Sequence, residues 1–143
     1  MKFTYPEKLH FKCVRCALCC GDTKNRTRTI LILKTEAEKI AEKTRMCLEA
    51  FAEEVKGFEP YVYKMRKTAD GKCIFLNKNQ CVIYAYRPLI CRFYPFELKE
   101  TSKGTYAFAH TKECPGIGKG KMLKRSFFEK LFKRFRNLMA ENA

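Results

Sequence analysis

Long apolar runs are missing from this 143-residue chain. No stretch approaches the roughly 18 apolar residues of a membrane-spanning helix. The run from Met1 to His10 has no apolar block either, so no secretory leader is expected and a cytoplasmic protein is. Linkers rich in Ser and Gly, internal repeats and low-complexity tracts are also absent. At this length the expectation is one domain over 1–143, large enough to bury a real core. Histidine occurs only twice. His10 and His110 could ligate a metal, but each reads first as a surface or structural residue. A phosphate loop is excluded: Gly116-x-Gly118-x-Gly120 does not follow a strand and no G-K-[ST] completes it. Acidic residues are scarce, with 15 Asp+Glu against 30 Lys+Arg and a net charge of +15. That imbalance concerns partners rather than fold, and points to nucleic acid, acidic protein surfaces or anionic lipid.

Cysteine is what the chain has in excess, with nine residues. Cys13, Cys16, Cys19 and Cys20 fall within eight positions, and Cys73, Cys81, Cys91 and Cys114 follow. Core packing does not call for four small thiols side by side. Thiolates at two-residue gaps wrap around one ion or cluster, as in cytosolic zinc and iron–sulfur sites. A disulfide framework is disfavoured, because nine thiols cannot pair off and the cytosol is reducing. Cytosolic disulfides do persist in some hyperthermophiles, and the charged composition with a single glutamine, Gln80, leans toward such a source. Cys16-x₃-Cys20 opens a radical-SAM-like triplet, but the third position is Thr23, which disfavours that class.

Periodicity organises the rest. Thr27–Leu33 reads as a strand, and Gly21-Asp22 as a turn closing the cysteine run. Thr35 with Glu38 forms a capping-box pattern, from which a helix is expected to about Val55, ending at Gly57. Ile40, Cys47, Leu48, Phe51 and Val55 lie at helical spacing, which makes Cys47 a core thiol apart from the others. Tyr61–Met65 alternates weakly, and Asp70-Gly71 is a turn. Apolar runs at Cys73–Leu76 and Cys81–Tyr84 flank Asn77–Gln80 and suggest a hairpin with one cysteine on each arm. Pro88 and Pro95 forbid a long helix between them. Tyr106–Ala109 is a further strand, and Cys114–Gly120 a turn-rich loop. From Lys121 to about Ala140, Leu123, Phe127, Leu131, Phe135 and Leu138 recur at helical spacing among lysines and arginines. This basic amphipathic helix either docks its Phe stripe on the core or offers a surface to nucleic acid, membrane or acidic protein. Docking is the expected use, because a continuous apolar stripe must be covered.

Cys13-x-x-Cys16-x-x-Cys19-Cys20, Cys73-Ile74-Phe75-Leu76, Cys81-Val82-Ile83-Tyr84, Arg87-Pro88-Leu89-Ile90-Cys91-Arg92-Phe93-Tyr94-Pro95 and Cys114-Pro115-Gly116-Ile117-Gly118 together resemble the YkgJ-type cysteine-cluster family. Its members are described as zinc- or iron-chelating proteins with a C-x-x-C-x-x-C-C motif. The resemblance covers residues 11 to about 120. It implies that Cys13, Cys16, Cys19, Cys20, Cys73, Cys81, Cys91 and Cys114 form the metal site, without Cys47, and it implies no reaction. A similar cysteine region occurs in flagellin lysine-N-methylases.

The spacing favours an iron–sulfur ([4Fe–4S]) centre, since C-x-x-C-x-x-C places three thiolates and a remote Cys-Pro, here Cys114-Pro115, completes the set. Zinc is the alternative, as eight thiolates could make two Cys₄ sites. In an extended segment Cys19 and Cys20 would point opposite ways, toward two neighbouring centres. Arg87 and Arg92 flank Cys91, either to bond cluster sulfur or an acidic substrate, or to form a structural ion pair. The expected architecture is a single α+β domain: a small metal-stapled sheet, a mid-chain helix and the basic C-terminal helix. Three roles stay open: redox or electron-transfer accessory, structural zinc module contacting nucleic acid or protein, and cluster-dependent enzyme.

Overall fold

Two clusters of apolar side chains form in this chain, and each has its own sheet and helices. The computed structural model describes residues 2–24 and 26–143. The elements, in order, are β1 (Lys2–Thr4), β2 (His10–Phe11), a 3-10 turn at Leu18–Cys20, β3 (Leu31–Leu33), α1 (Lys34–Thr44), α2 (Leu48–Phe51), β4 (Ala52–Glu54) and β5 (Tyr61–Met65). Then come β6 (Leu76–Asn77), β7 (Gln80–Cys81), a 3-10 turn at Tyr84–Tyr86, α3 (Leu89–Phe93), β8 (Phe96–Ser102), β9 (Thr105–His110), β10 (Ile117–Met122) and α4 (Arg125–Glu141). The class is α+β.

The first core is built on the antiparallel sheet β3-β5-β4, with β5 in the centre. Ile32, Ala37, Ile40 and Phe51 are fully buried in it. Helix α1 starts two residues earlier than the sequence cap suggests. The Glu36 carboxylate accepts the Leu33 N–H at 3.0 Å and, with its other oxygen, the Leu89 N–H at 2.6 Å. One partly buried side chain therefore satisfies orphan donors at the starts of both α1 and α3. Burial pushes the Glu36 carboxyl up.

The expected long helix to Val55 is not formed. Arg45 adopts a left-handed conformation, with φ 58°, and the Thr44 hydroxyl bonds back to the Ile40 carbonyl at 2.7 Å. Helix α2 is a single turn, and Ala52–Glu54 leave it as a strand. Because the helix breaks at Arg45, the spacing that put Cys47 on the Ile40 stripe does not apply. Cys47 is exposed, not a core thiol.

The second core lies between the sheet β1-β9-β8 and α4. Strand β1 runs parallel to β9, with Phe3 beside Tyr106, and β8 and β9 form a hairpin. Helix α4 docks on this sheet as expected. Phe128 and Phe132 form the centre of its buried face, flanked by the half-buried Phe127, Leu131 and Phe135. Phe128 stands 5.0–5.1 Å from the rings of Tyr5, Phe96 and Phe108. Each such Phe stabilises the fold by roughly 1.5–3 kcal/mol of burial.

Residues 117–122, expected as loop to Gly120 and as helix from Lys121, instead pair with β2 through a bulge between Ile117↔Phe11 and Met122↔His10, and the helix starts at Arg125. Asn142 joins the two cores: its amide nitrogen donates to the Thr35 hydroxyl at 2.9 Å, and its oxygen accepts the Thr35 N–H at 3.2 Å. No helix among the described residues is long and apolar enough to cross a membrane.

Candidate metal centre

Eight thiols line one cavity of about 400 Å³: Cys13, Cys16, Cys19, Cys20, Cys73, Cys81, Cys91 and Cys114. Cys47 is not among them. Among the described residues no three Cys, His, Asp or Glu side chains close on one point at ligating distance. The thiols surround a volume instead.

The 3-10 turn at Leu18–Cys20 follows Ala17, whose φ is 64°, and opens with the Cys20 N–H on the Ala17 carbonyl at 3.0 Å. The turn overrides the extended geometry expected here. The Cys19 and Cys20 sulfurs do not diverge but lie 3.8 Å apart. The Cys73 N–H donates to the Cys20 carbonyl, and Gly21 bridges Lys72 so closely that a Cβ would meet Lys72 at 2.7 Å. Cys73 stands just before the hairpin β6–β7, not on its arm, and the Leu76 N–H donates to its carbonyl at 3.0 Å. Leu76 pairs with Cys81, across a turn whose Lys78 and Asn79 both have positive φ, the twist that suits a tight hairpin. Cys91 sits on α3. Cys20 and Cys73 belong to the first core, and Cys19, Cys81 and Cys91 pack against it.

These five thiols set one another's acidity. The shared-proton contact with the Cys20 thiol holds Cys19 down at about 6, proximity to Cys20 holds Cys81 at about 7, and both neighbours push Cys20 up. Burial raises Cys73 to about 11 and Cys91 to about 12. The Arg28 guanidinium opposes that rise at both and favours the Cys19 thiolate.

Nothing in the sequence singled out Arg28, because its role is created by tertiary packing. Its Nε donates to the Cys19 carbonyl at 3.0 Å, and its guanidinium stands 5.2 Å from the centre of the Tyr94 ring. Its Nη2 and the Tyr94 hydroxyl are buried with no partner among the described residues. Orphaned donors are costly without an acceptor, and of these two residues Tyr94 lines the thiol cavity, where thiolates or a sulfide-bearing group would provide one. An all-sulfur donor set fits zinc or an iron–sulfur cluster, and not a hard cation that prefers oxygen.

Cys13, Cys16 and Cys114 are held differently. The Lys12 N–H donates to the Gly116 carbonyl at 3.1 Å, and the Ile117 N–H to the Cys114 carbonyl at 3.2 Å. Only glycine fits at 116, since a Cβ would lie 2.2 Å from the Lys12 carbonyl oxygen. This approach lays the Cys114 loop against the arm carrying Cys13 and Cys16. Burial pushes the Cys114 thiol up, and the Cys16 and Cys13 thiols add to the rise. Cys13 and Cys16 are exposed.

Arg87 and Arg92 both line the cavity. Neither makes an ion pair among the described residues. Arg87 donates to the Tyr84 carbonyl at 3.0 Å and stacks on the Tyr84 ring at 3.9 Å, and Arg92 donates to the Ala85 carbonyl at 2.7 Å. With Lys130, Lys133 and Arg134 of α4 they border an open groove next to the thiol cavity. His10 bonds the Gly120 carbonyl at 2.8 Å through Nδ1, and His110 contacts the Thr111 carbonyl at 3.4 Å. Neither histidine lines the thiol cavity.

Known proteins resemble the segment that carries this cavity. Two proteins of Methanocaldococcus jannaschii are similar to the chain. The uncharacterized protein MJ0661 is 29% identical over 126 residues, covering 82% of this chain and 65% of that protein. The uncharacterized protein MJ0939 is 28% identical over 120 residues, covering 80% of this chain and 40% of that protein. The chain thus spans less than two thirds of the length of these relatives. No solved structure matches it. The CxxCxxCC family model, described as a "putative zinc- or iron-chelating domain", matches residues 12–115. That segment holds every thiol of the cavity, and the chain belongs to the CxxCxxCC family.

Proposed function

We propose that this protein holds an iron–sulfur centre in the thiol cavity and serves a redox, electron-transfer or accessory role. The observation that carries the reading is the gathering of eight thiols, without Cys47, around one cavity of about 400 Å³. A cluster needs ligands spread around its own bulk, and these thiols are spread around one cavity. Cys13 and Cys16 present a C-x-x-C pair, and Cys114-Pro115 the remote partner. Bound there, such a centre supplies one-electron chemistry. Arg28 offsets the negative charge of the thiolates, and the Tyr94 hydroxyl, left without a partner, belongs to a residue that lines the cavity. The exposed Cys13 and Cys16 keep this end of the cavity near solvent, which suits transfer to a partner more than a sealed structural role.

One observation favours a second reading. Thiolates 2.3 Å from a tetrahedral zinc are about 3.8 Å apart, and Cys19 and Cys20 stand at 3.8 Å. A structural zinc module is thus the competing reading. Protein purified without oxygen should be brown, contain iron and acid-labile sulfide, and bleach on exposure to air. A colourless preparation with stoichiometric zinc and no sulfide would select the zinc reading.

A further inference from the structure

The eight thiols fall into two groups anchored on different cores. Cys19, Cys20, Cys73, Cys81 and Cys91 belong to or pack against the first core. Cys13 follows Phe11, and Phe11 packs in the second core with its ring 5.7 Å from Phe96. Cys114 lies between β9 and β10, whose partner β2 carries Phe11. The backbone bonds divide in the same way. Cys20 is bonded to Cys73, which leads into the hairpin of Cys81, while Lys12 is bonded to Gly116 beside Cys114. Cys19 lies 3.8 Å from Cys20 and packs with it in the first core, so the break between the groups falls before Cys19.

Resting on the metal-binding reading above, we infer that the cavity holds two centres of unequal completeness. The inner one draws on Cys19, Cys20, Cys73, Cys81 and Cys91. The outer one receives only Cys13, Cys16 and Cys114 from the protein, leaving a coordination position for a small outside anion.

A tetrahedral ion or a four-iron cluster takes four ligands. The inner group offers five thiols, and the outer group offers three. No histidine lines the cavity to complete the outer set. The exposure of Cys13 and Cys16 gives an outside donor access. The charge beside it selects an anion: Arg15, between Cys13 and Cys16, stands 5.6 Å from the centre of the Tyr84 ring on which Arg87 also stacks. A thiolate or carboxylate on a small molecule has the chemistry to fill such a position.

The test compares anaerobically prepared wild-type protein with Cys13→Ser, Cys16→Ser, Cys114→Ser, Cys73→Ser, Cys81→Ser and Cys91→Ser, measuring metal and sulfide per chain. Each outer variant should lose the same part of the metal and keep the rest. The Cys13→Ser/Cys16→Ser pair should lose no more than either alone. The inner substitutions could unfold the first core, so a second measurement uses wild-type holoprotein. Chelator should strip metal in two phases, and mass mapping should find Cys13, Cys16 and Cys114 alkylated in the first. Added 2-mercaptoethanol or acetate should change the visible spectrum of the wild type, or of its cobalt-loaded form, and not that of the Cys13→Ser/Cys16→Ser pair. Loss of all metal from every variant together with one-phase release would mean a single shared centre and overturn the division. A wild-type spectrum indifferent to both anions would overturn the open position. Protein that binds no metal, as purified or on reconstitution, would instead overturn the metal reading itself.

Discussion

The two cores solve the same problem with different materials. The second core closes on phenylalanines: Phe93, Phe96, Phe108, Phe128 and Phe132 are all buried and in ring contact through Phe108 or its neighbours. The first core has an apolar half around Ile32, Ile40 and Phe51 and a thiol half around Cys20 and Cys73. Apolar burial is complete once side chains touch. A thiol cluster packed on burial alone leaves raised thiol pKa values and orphaned donors, as at Cys91, Arg28 and Tyr94. The aromatic region is finished by folding, and the thiol region is finished by what it binds.

Stripping metal should break the symmetry most. Binding energy at a thiolate site counts as folding energy, on the order of 10 kcal/mol for a structural zinc. Hydrogen exchange on chelated protein should show lost protection at β3, β5 and the β6–β7 hairpin, with β8, β9 and α4 retained. Equal loss in both regions would mean that the cores do not differ in this way. Next comes Phe128→Ala, which empties the centre of the aromatic core and should cost about 3–5 kcal/mol in a denaturant melt. Metal per folded chain should stay unchanged at low temperature.

A smaller effect is expected at the seam. Glu36→Ala leaves the Leu33 and Leu89 N–H groups without their acceptor and should cost about 1–3 kcal/mol. The Glu36 carboxyl is pushed up by burial. Its contribution is therefore present below the unfolded value and is lost as pH rises through the raised one, and Glu36→Gln should remove that slope from the stability profile. Smallest of all is Cys47→Ser: at an exposed position away from the cavity it should change stability by less than about 0.5 kcal/mol and leave the metal content as it was.

The sequence carried these regions unequally. The β5 strand at Tyr61–Met65 and the docked C-terminal helix were legible, because their patterns are local and buried by neighbours that the period implies. The alternation Phe96-Glu97-Leu98-Lys99 holds a strand signal too, masked by the charges of Glu97, Lys99 and Glu100. The helix break at Arg45 was not legible: a left-handed arginine has no sequence signature, and missing it misplaced Cys47. The eight cavity thiols could be read from spacing and family resemblance, whereas their division between two cores depends on the Cys20–Cys73 and Lys12–Gly116 approaches, contacts between segments far apart in sequence. Arg28 was invisible for the same reason.

Thiol accessibility in the native, anaerobically prepared protein tests the central claim most directly, with metal content read on the same sample. Alkylation followed by mass mapping should label Cys47 rapidly, leave the eight cavity cysteines protected, and release them to the reagent only as metal is removed. Exposed Cys13 and Cys16 labelled as fast as Cys47, in a sample with no bound metal, would contradict the account.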